Sequence, residues 1–223
     1  MFFDSIAPKQ QSKLGVLTHD SLTTCQFAHF RSEPEDRILL RSTLYGSRDL
    51  CPPAGPAGKQ TNSQAPQSLS IPVDSPRWEL EGQAKGADYQ RRKCLLLDGG
   101  AATVKNLEMR DGVVDVDVAT PAKRGFFGIQ FRLTDNGANG EWIYLRQHKT
   151  GLPDAMQYTP ILNTGANWQI YNGPGFAGAV DIPKDAWFHL RLEVVGAQAK
   201  FYVNDMNKPA LVMNDLKSGV QKV

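Results

Sequence analysis

Cysteine is scarce in this chain. The three present among 223 residues, Cys25, Cys51 and Cys94, fall in no Cys-x-x-Cys pair. An odd count without that spacing excludes a disulfide framework as the organising device and gives no zinc knuckle. Nothing requires Cys25 and Cys51 to pair, and Cys94, in the run Cys94-Leu95-Leu96-Leu97, reads as a buried thiol. An excess of one charge is missing too. The net charge is +2, with no basic stripe and no run of like charge, so phosphate-backbone binding and hence a nucleic-acid partner are not expected. No stretch approaches the roughly 20 apolar residues of a membrane-spanning helix. The opening Met1-Phe2-Phe3-Asp4-Ser5-Ile6-Ala7-Pro8 lacks the basic and apolar regions of a secretory signal. No Ser-His-Asp order, nucleophile elbow or phosphate loop occurs.

What is present divides at about residue 70. Hydrophobic residues make up 41% and charged residues 22%, a globular composition, and the length suits one all-β domain with a tail. Residues 1–70 show no sustained period of two or 3.6, with one short helix at best between Ser32 and Tyr45. From Cys51 to Ser70 the chain is Pro-, Gly-, Ser-, Gln- and Asn-rich, too poor in apolar area to offset chain entropy. Residues 1–70 are therefore expected to be a mostly disordered N-terminal segment and linker, and residues 71–223 the folded domain.

After Ile71 short alternating apolar runs are punctuated by Gly, Asn and Asp, the pattern of an all-β sandwich. Strands are expected at Trp78 to Glu81, Lys93 to Leu97, Ala101 to Met109, Val113 to Ala119, Phe126 to Leu133, Trp142 to Arg146, Met156 to Thr159, Trp168 to Asn172, Trp187 to Val194, Gln198 to Asn204 and Ala210 to Met213. Parity puts Val114, Val116 and Val118, then Phe188, Leu190, Leu192 and Val194, then Ala199, Phe201 and Val203 in the core. Val195-Gly196-Ala197 reads as a tight hairpin, Gly196 supplying the positive φ. Ending after Lys217-Ser218-Gly219, such a sandwich leaves an inner strand unpaired, so its last strands are expected beyond Val223.

One pair of stretches stands out. In Gly125-Phe-Phe-Gly-Ile-Gln-Phe-Arg132, parity sends Phe127, Ile129, Phe131 and Leu133 one way and Gln130 and Arg132 the other. In Glu141-Trp-Ile-Tyr-Leu-Arg146, Trp142, Tyr144 and Arg146 oppose Ile143 and Leu145. Flat rings suit the C–H face of a pyranose, and Arg, Gln and Tyr supply hydrogen bonds for hydroxyl groups. Candidate ligand residues on this face and its loops are Arg132, Trp142, Tyr144, Arg146, Gln157, Tyr158, Asn163, Trp168 and Tyr171. One or two ring stacks at about 1 kcal/mol each and charged hydrogen bonds at about 1.5 to 3 kcal/mol suffice for millimolar to micromolar binding. The competing role for Trp142 and Trp168 is core or rim packing.

Trp78-Glu-Leu-Glu-Gly82, Leu95-Leu-Leu-Asp-Gly-Gly100, Phe127-Gly-Ile-Gln-Phe-Arg132, Trp142-Ile-Tyr-Leu-Arg146, Asp154-Ala-Met-Gln-Tyr158 and the late pair from Trp187 to Asp205, in this order, resemble bacterial members of the concanavalin A-like lectin/glucanase superfamily. The likeness lies near laminin-G-like domains and the 3-keto-disaccharide hydrolase family. The resemblance implies an antiparallel jelly-roll β-sandwich with a glycan groove, a carbohydrate partner and a periplasmic or secreted location. It leaves three functions open: glycan binding, glycoside hydrolysis and a laminin-G-like interaction module.

Chemistry is less well supported than binding. Should the domain cleave glycosides, the candidate residues are Asp115, Asp117, Asp154 and His148. Asp115 and Asp117 share a face, but the superfamily's glucanases resemble a Glu-x-Asp-x-x-Glu strand and this segment has no glutamate. A solvated outer strand face is the preferred reading. His189 alternates with Trp187, Arg191 and Glu193 and reads as a surface histidine. Asp135, Asn136 and Asp154 have calcium-binding oxygens, yet turn formation explains Asp and Asn there without a metal, so no cofactor is expected.

Overall fold

The computed structural model of the chain describes residues 13–18, 27–29, 40–41, 68–107, 109–121, 124–134 and 137–218. The fold is all-β. Four short strands come first: β1 (Lys13–Thr18), β2 (Phe27–His29), β3 (Leu40–Arg41) and β4 (Ser68–Leu69). Then follow β5 (Trp78–Glu81), β6 (Lys85–Tyr89), β7 (Arg92–Leu96), β8 (Ala101–Val104), β9 (Gly112–Ala119), β10 (Phe127–Thr134) and β11 (Asn139–Leu145). A 3-10 turn at Gln147–Lys149 leads to β12 (Met156–Leu162), β13 (Gly165–Ala166), β14 (Ala177–Gly178), β15 (Trp187–Val195), β16 (Gln198–Val203) and β17 (Leu211–Met213). No helix among the described residues is long and apolar enough to cross a membrane.

These strands form two antiparallel sheets. The first runs β13-β12-β11-β10-β1-β8-β5, with β14 also on β12. The second runs β17-β16-β15-β9-β2-β7-β6, with β3 also on β9 and β4 on β3. The sequence reading placed no strand before Trp78, yet β1 joins β10 to β8 in the first sheet and β2 joins β9 to β7 in the second. Leu40 and Arg41, within the stretch where a short helix was the most expected, are extended. The remainder of residues 1–67, Cys25, Cys51 and the proline-rich stretch included, lies outside the described residues.

The core lies between the sheets and follows from strand parity. Val114, Val116 and Val118 of β9 and Leu190, Leu192 and Val194 of β15 meet Ile129 and Phe131 of β10 and Ile143 and Leu145 of β11 in one cluster. Phe127 and Phe188, from different sheets, touch edge to face, their centroids 6.1 Å apart. Cys94 is buried as expected, on the strand face opposite Leu95, and burial pushes its thiol up to about 11. The β15–β16 hairpin turns at Gly196 with φ 57°.

Two expectations fail for local reasons. Residues 168–172 form a turn, with the Ile170 amide bonded to the Asn167 carbonyl, rather than a strand. The strand from Ala101 stops at Val104 because Asn106 takes φ 54°, the left-handed region that ends an extended run.

Candidate functional site

The outer face of the first sheet is assembled by register. Gly128 stands opposite Tyr144 and Gln130 opposite Trp142, and β12 continues the rows with Gln157 beside Tyr144 and Thr159 beside Trp142. In the other direction the rows pass through the backbone of Leu17 and Gly15 to Ala101 and Thr103 of β8, then to Glu81 and Glu79 of β5. Gly128 is required here: a Cβ would lie 2.1 Å from the Ile143 carbonyl oxygen and 2.8 Å from the Tyr144 Cβ. A groove of about 910 Å³ crosses this face from Glu79 and Glu81 to Trp168.

Rings floor the groove. Trp142 and Tyr144 lie 4.5 Å apart at 35°, and Phe126 meets Tyr144 edge-on at 6.0 Å. The Arg146 guanidinium sits over Tyr144 at 4.9 Å and over Phe126 at 5.7 Å. Leu133 and Ile161 pack against Trp142 and Tyr144 in a small apolar cluster separate from the main core. Trp142 Nε1 is buried without a hydrogen-bond partner. Trp168 lines the groove and is 48% exposed.

Behind the rings the polar atoms satisfy one another. The Tyr144 hydroxyl donates to Gln157 Oε1 at 2.8 Å and accepts from Arg146 Nη2 at 2.9 Å. Arg146 also donates to Gln157 Oε1 at 2.5 Å and to the Asp154 carbonyl at 2.6 Å. Gln157 Nε2 donates to the carbonyls of Trp168 and Tyr171 at 2.8 and 2.5 Å, which fastens the 168–171 turn to the sheet. Gln157 thus uses both ends of its amide in positioning. Burial pushes the Tyr144 phenol up to about 12, against the opposing pull of Arg146, so it keeps its donor proton at neutral pH.

Beyond Tyr144 the groove ends in a charged corner where Arg124, Arg146, His148 and Lys149 meet Asp154. The Lys149 ammonium donates to the Asp154 carboxylate, and this bond holds Asp154 below the usual carboxylate range. Burial, then the charges of Arg124, Lys149 and Arg146, pull His148 below the ordinary histidine value.

The structure brings together Trp142, Tyr144, Arg146, Gln157 and Trp168, with His148 and Asp154 beside them, and sends the other candidates elsewhere. Arg132 is the largest correction. It takes φ 52° at a register break between Phe131 and Thr134, a β-bulge that turns its side chain off the groove face and puts Leu133 there instead. Its guanidinium is 1% exposed and donates to the carbonyls of Arg110, Ser218 and Gly196 and to Asp111. Tyr158, opposite Ile143, faces the core: its hydroxyl donates to Glu141 Oε2 at 2.7 Å and its ring stacks on Phe176 at 6.2 Å. Tyr171 packs edge-on against those two rings. Asn163 is an exposed turn residue at φ 50°. Asp135 and Asn136 lie outside the described residues.

Asp115 and Asp117 share a face as expected, but on the second sheet, across the core from the groove. His189 bridges them, Nε2 to Asp115 Oδ1 at 2.9 Å and Nδ1 to Asp117 Oδ1 at 2.8 Å, with Arg191 on Asp115 and Arg92 on Asp117. Burial alone would lower His189; the bonds to Asp115 and Asp117 outweigh it and hold the ring up at about 9. His189 is an ion-pair centre rather than a plain surface histidine.

Sequence reading missed Glu79, Glu81, Phe126, Arg124 and Lys149 as groove residues. The alternation Trp78-Glu-Leu-Glu put both glutamates on one face, but only the pairing of β5 through β8 and β1 carries that face next to β10. Against this geometry, no protein-family model matches the chain, and neither a curated protein nor a solved structure matches it.

Proposed function

We propose that this protein binds a glycan in the groove of the first sheet, as a lectin-like jelly-roll domain of the concanavalin A-like kind working outside the cytoplasm. The supporting observation is the groove itself: about 910 Å³, floored by Trp142 and Tyr144 and overlooked by the exposed Trp168. Trp168, 48% exposed, offers the open apolar ring, Trp142 and Tyr144 reach the lining from buried positions beneath it, and Gln130, Thr103, Glu79 and Glu81 along the same lining offer polar atoms. Each ring stack contributes about 1 kcal/mol, so a sugar chain crossing the face reaches micromolar to millimolar affinity.

A glycoside-cleaving alternative has one observation in its favour. Glu79 and Glu81 lie two apart on one strand in the groove lining, about 6.6 Å along the backbone, near the lower bound for an inverting carboxylate pair. Asp154 does not fit a general acid, because Lys149 holds its carboxyl low rather than high. A glycan array followed by calorimetry tests the binding reading, with Trp168→Ala expected to weaken a bound sugar about fivefold to tenfold. Failure to bind any glycan would overturn it. Release of reducing ends, abolished by Glu79→Gln, would replace binding with hydrolysis.

A further inference from the structure

Two glutamine amides on this face are used differently. Gln157 spends both ends, on the Tyr144 hydroxyl, on Arg146 and on the 168–171 turn. Gln130, 8% exposed and in the groove lining, has no side-chain hydrogen-bond partner among the described residues. Directly opposite it in the β10–β11 pair stands Trp142, whose Nε1 is buried and lacks an acceptor. The two side chains bring more N–H donors than acceptor oxygens, so the row is short of acceptors. An amide held this far from bulk water costs free energy until a partner arrives. The row runs on through Gly15 and Thr103 to Glu79 and holds no cation, so the acceptor it suits is neutral.

Beside this pair the lining turns apolar. Leu133 covers Gly140, where a Cβ would meet Leu133 Cδ2 at 2.6 Å, and Ile161 stands opposite Gly140 with Ala166 next across the sheet. Leu133 and Ile161 pack with Trp142 in the small cluster apart from the main core, Ala166 lies against them, and all three line the groove. The hydroxyl groups of a sugar gain nothing from such a patch, whereas a methyl group does.

The geometry points to an N-acetylated sugar, whose acetamido carbonyl accepts from Gln130 Nε2 while its methyl group lies on Leu133 and Ile161 and a neighbouring ring hydroxyl donates to Gln130 Oε1. This names the sugar class for the glycan-binding reading of the groove and rests on that reading. A carbonyl oxygen is an acceptor only and supplies what the row lacks. A hydroxyl at the same carbon brings a donor of its own and no methyl.

Calorimetry on the full chain with three β-1,4-linked trimers tests this, because N-acetylglucosamine, glucose and glucosamine units differ only at C2, as acetamido, hydroxyl and ammonium. Methyl glycosides of N-acetylgalactosamine and galactose, titrated by NMR, repeat the comparison in a second series. In at least one series the acetamido compound is expected to bind about tenfold tighter than its hydroxyl counterpart, the effect of one hydrogen bond and one covered methyl group. Gln130→Leu is expected to remove that advantage while holding the hydroxyl compound within about twofold of the parent. Its melting temperature should be no lower than the parent's, because no protein partner is lost. The ligand comparison on the parent decides the matter even if the variant does not fold. Equal or weaker binding of the acetamido compound in both series, or a Gln130→Leu protein that keeps the preference, overturns the N-acetyl assignment and leaves the groove reading intact. Tightest binding of the glucosamine trimer overturns it too and moves the determinant to Glu79 and Glu81. No binding of any of these compounds overturns both.

Discussion

The outer faces of the two sheets are built from the same alternation and come to different ends. On the second sheet Asp115, Asp117, His189, Arg191 and Arg92 close on one another in a row of ion pairs. Their hydrogen-bonding capacity is spent laterally. On the first sheet Tyr144, Arg146 and Gln157 also satisfy one another, but they do so at the level of the sheet and under the rings. Trp142 and Tyr144, though buried, still line an open groove that the exposed Trp168 overlooks. Mutual satisfaction on one sheet closes the polar face on itself, and on the other it holds the candidate site in shape. Substitutions on the second sheet should therefore move stability, and substitutions at the groove surface should move binding.

The strongest way to break that comparison is Gly128→Val. A side chain there meets the Ile143 carbonyl and the Tyr144 Cβ, so β10 and β11 must separate and the expected loss exceeds about 4 kcal/mol. Soluble, cooperatively melting protein carrying this change would contradict the close approach.

Gln157→Leu probes the one residue that ties both properties together. It removes the acceptor of the Tyr144 hydroxyl proton and the donor to the carbonyls of Trp168 and Tyr171, and at about 1 to 3 kcal/mol per buried orphan, relieved in part by relaxation, a loss of about 2 to 4 kcal/mol is expected. Denaturant unfolding gives the stability term, and glycan affinity should fall with it because the Trp168 turn is released.

His189 sharpens the contrast through pH. Its folded value, about 9, lies above the ordinary 6.5, so the stabilisation is fully present below about pH 6.5 and is lost as pH rises through about 9. Thermal melting should fall across that window by the equivalent of about 1 to 2 kcal/mol, discounted for partial exposure. In His189→Gln the melting curve should be flat over the same range, with glycan binding unchanged in both proteins.

The smallest stability effect is expected at Trp168. Trp168→Ala removes a half-exposed ring and should leave unfolding within about 0.5 kcal/mol of the parent while weakening the glycan. A stability loss several times larger would make the ring a structural prop rather than a binding surface.

Much of this contrast was legible in the chain before it folds. Trp142, Tyr144 and Arg146 emerge on one face by counting in twos, as do Asp115 and Asp117 on theirs. What counting could not say was which sheet each face belonged to, because Asp117 acquires its role only when β15 sets His189 opposite it. Tyr158 illustrates the same limit. Its parity partner Met156 is a core residue, but a tyrosine gives no sign of its direction until Glu141 is placed to accept its hydroxyl.

By itself the sequence determined most of the long strands after Trp78, the core faces of β9, β15 and β16 and the hairpin at Gly196, because side-chain direction along an extended chain repeats every two residues and a tight turn selects glycine. Only the tertiary structure decided the rest. Arg132 leaves the groove through a bulge at φ 52°, a conformation that an arginine does not advertise and that Asp111 and three carbonyls stabilise from distant parts of the chain. Glu79 and Glu81 enter the groove through β8 and β1. The charged corner likewise depends on the end of β11 meeting the start of β10. These are contacts between residues far apart in sequence, and no local period encodes them.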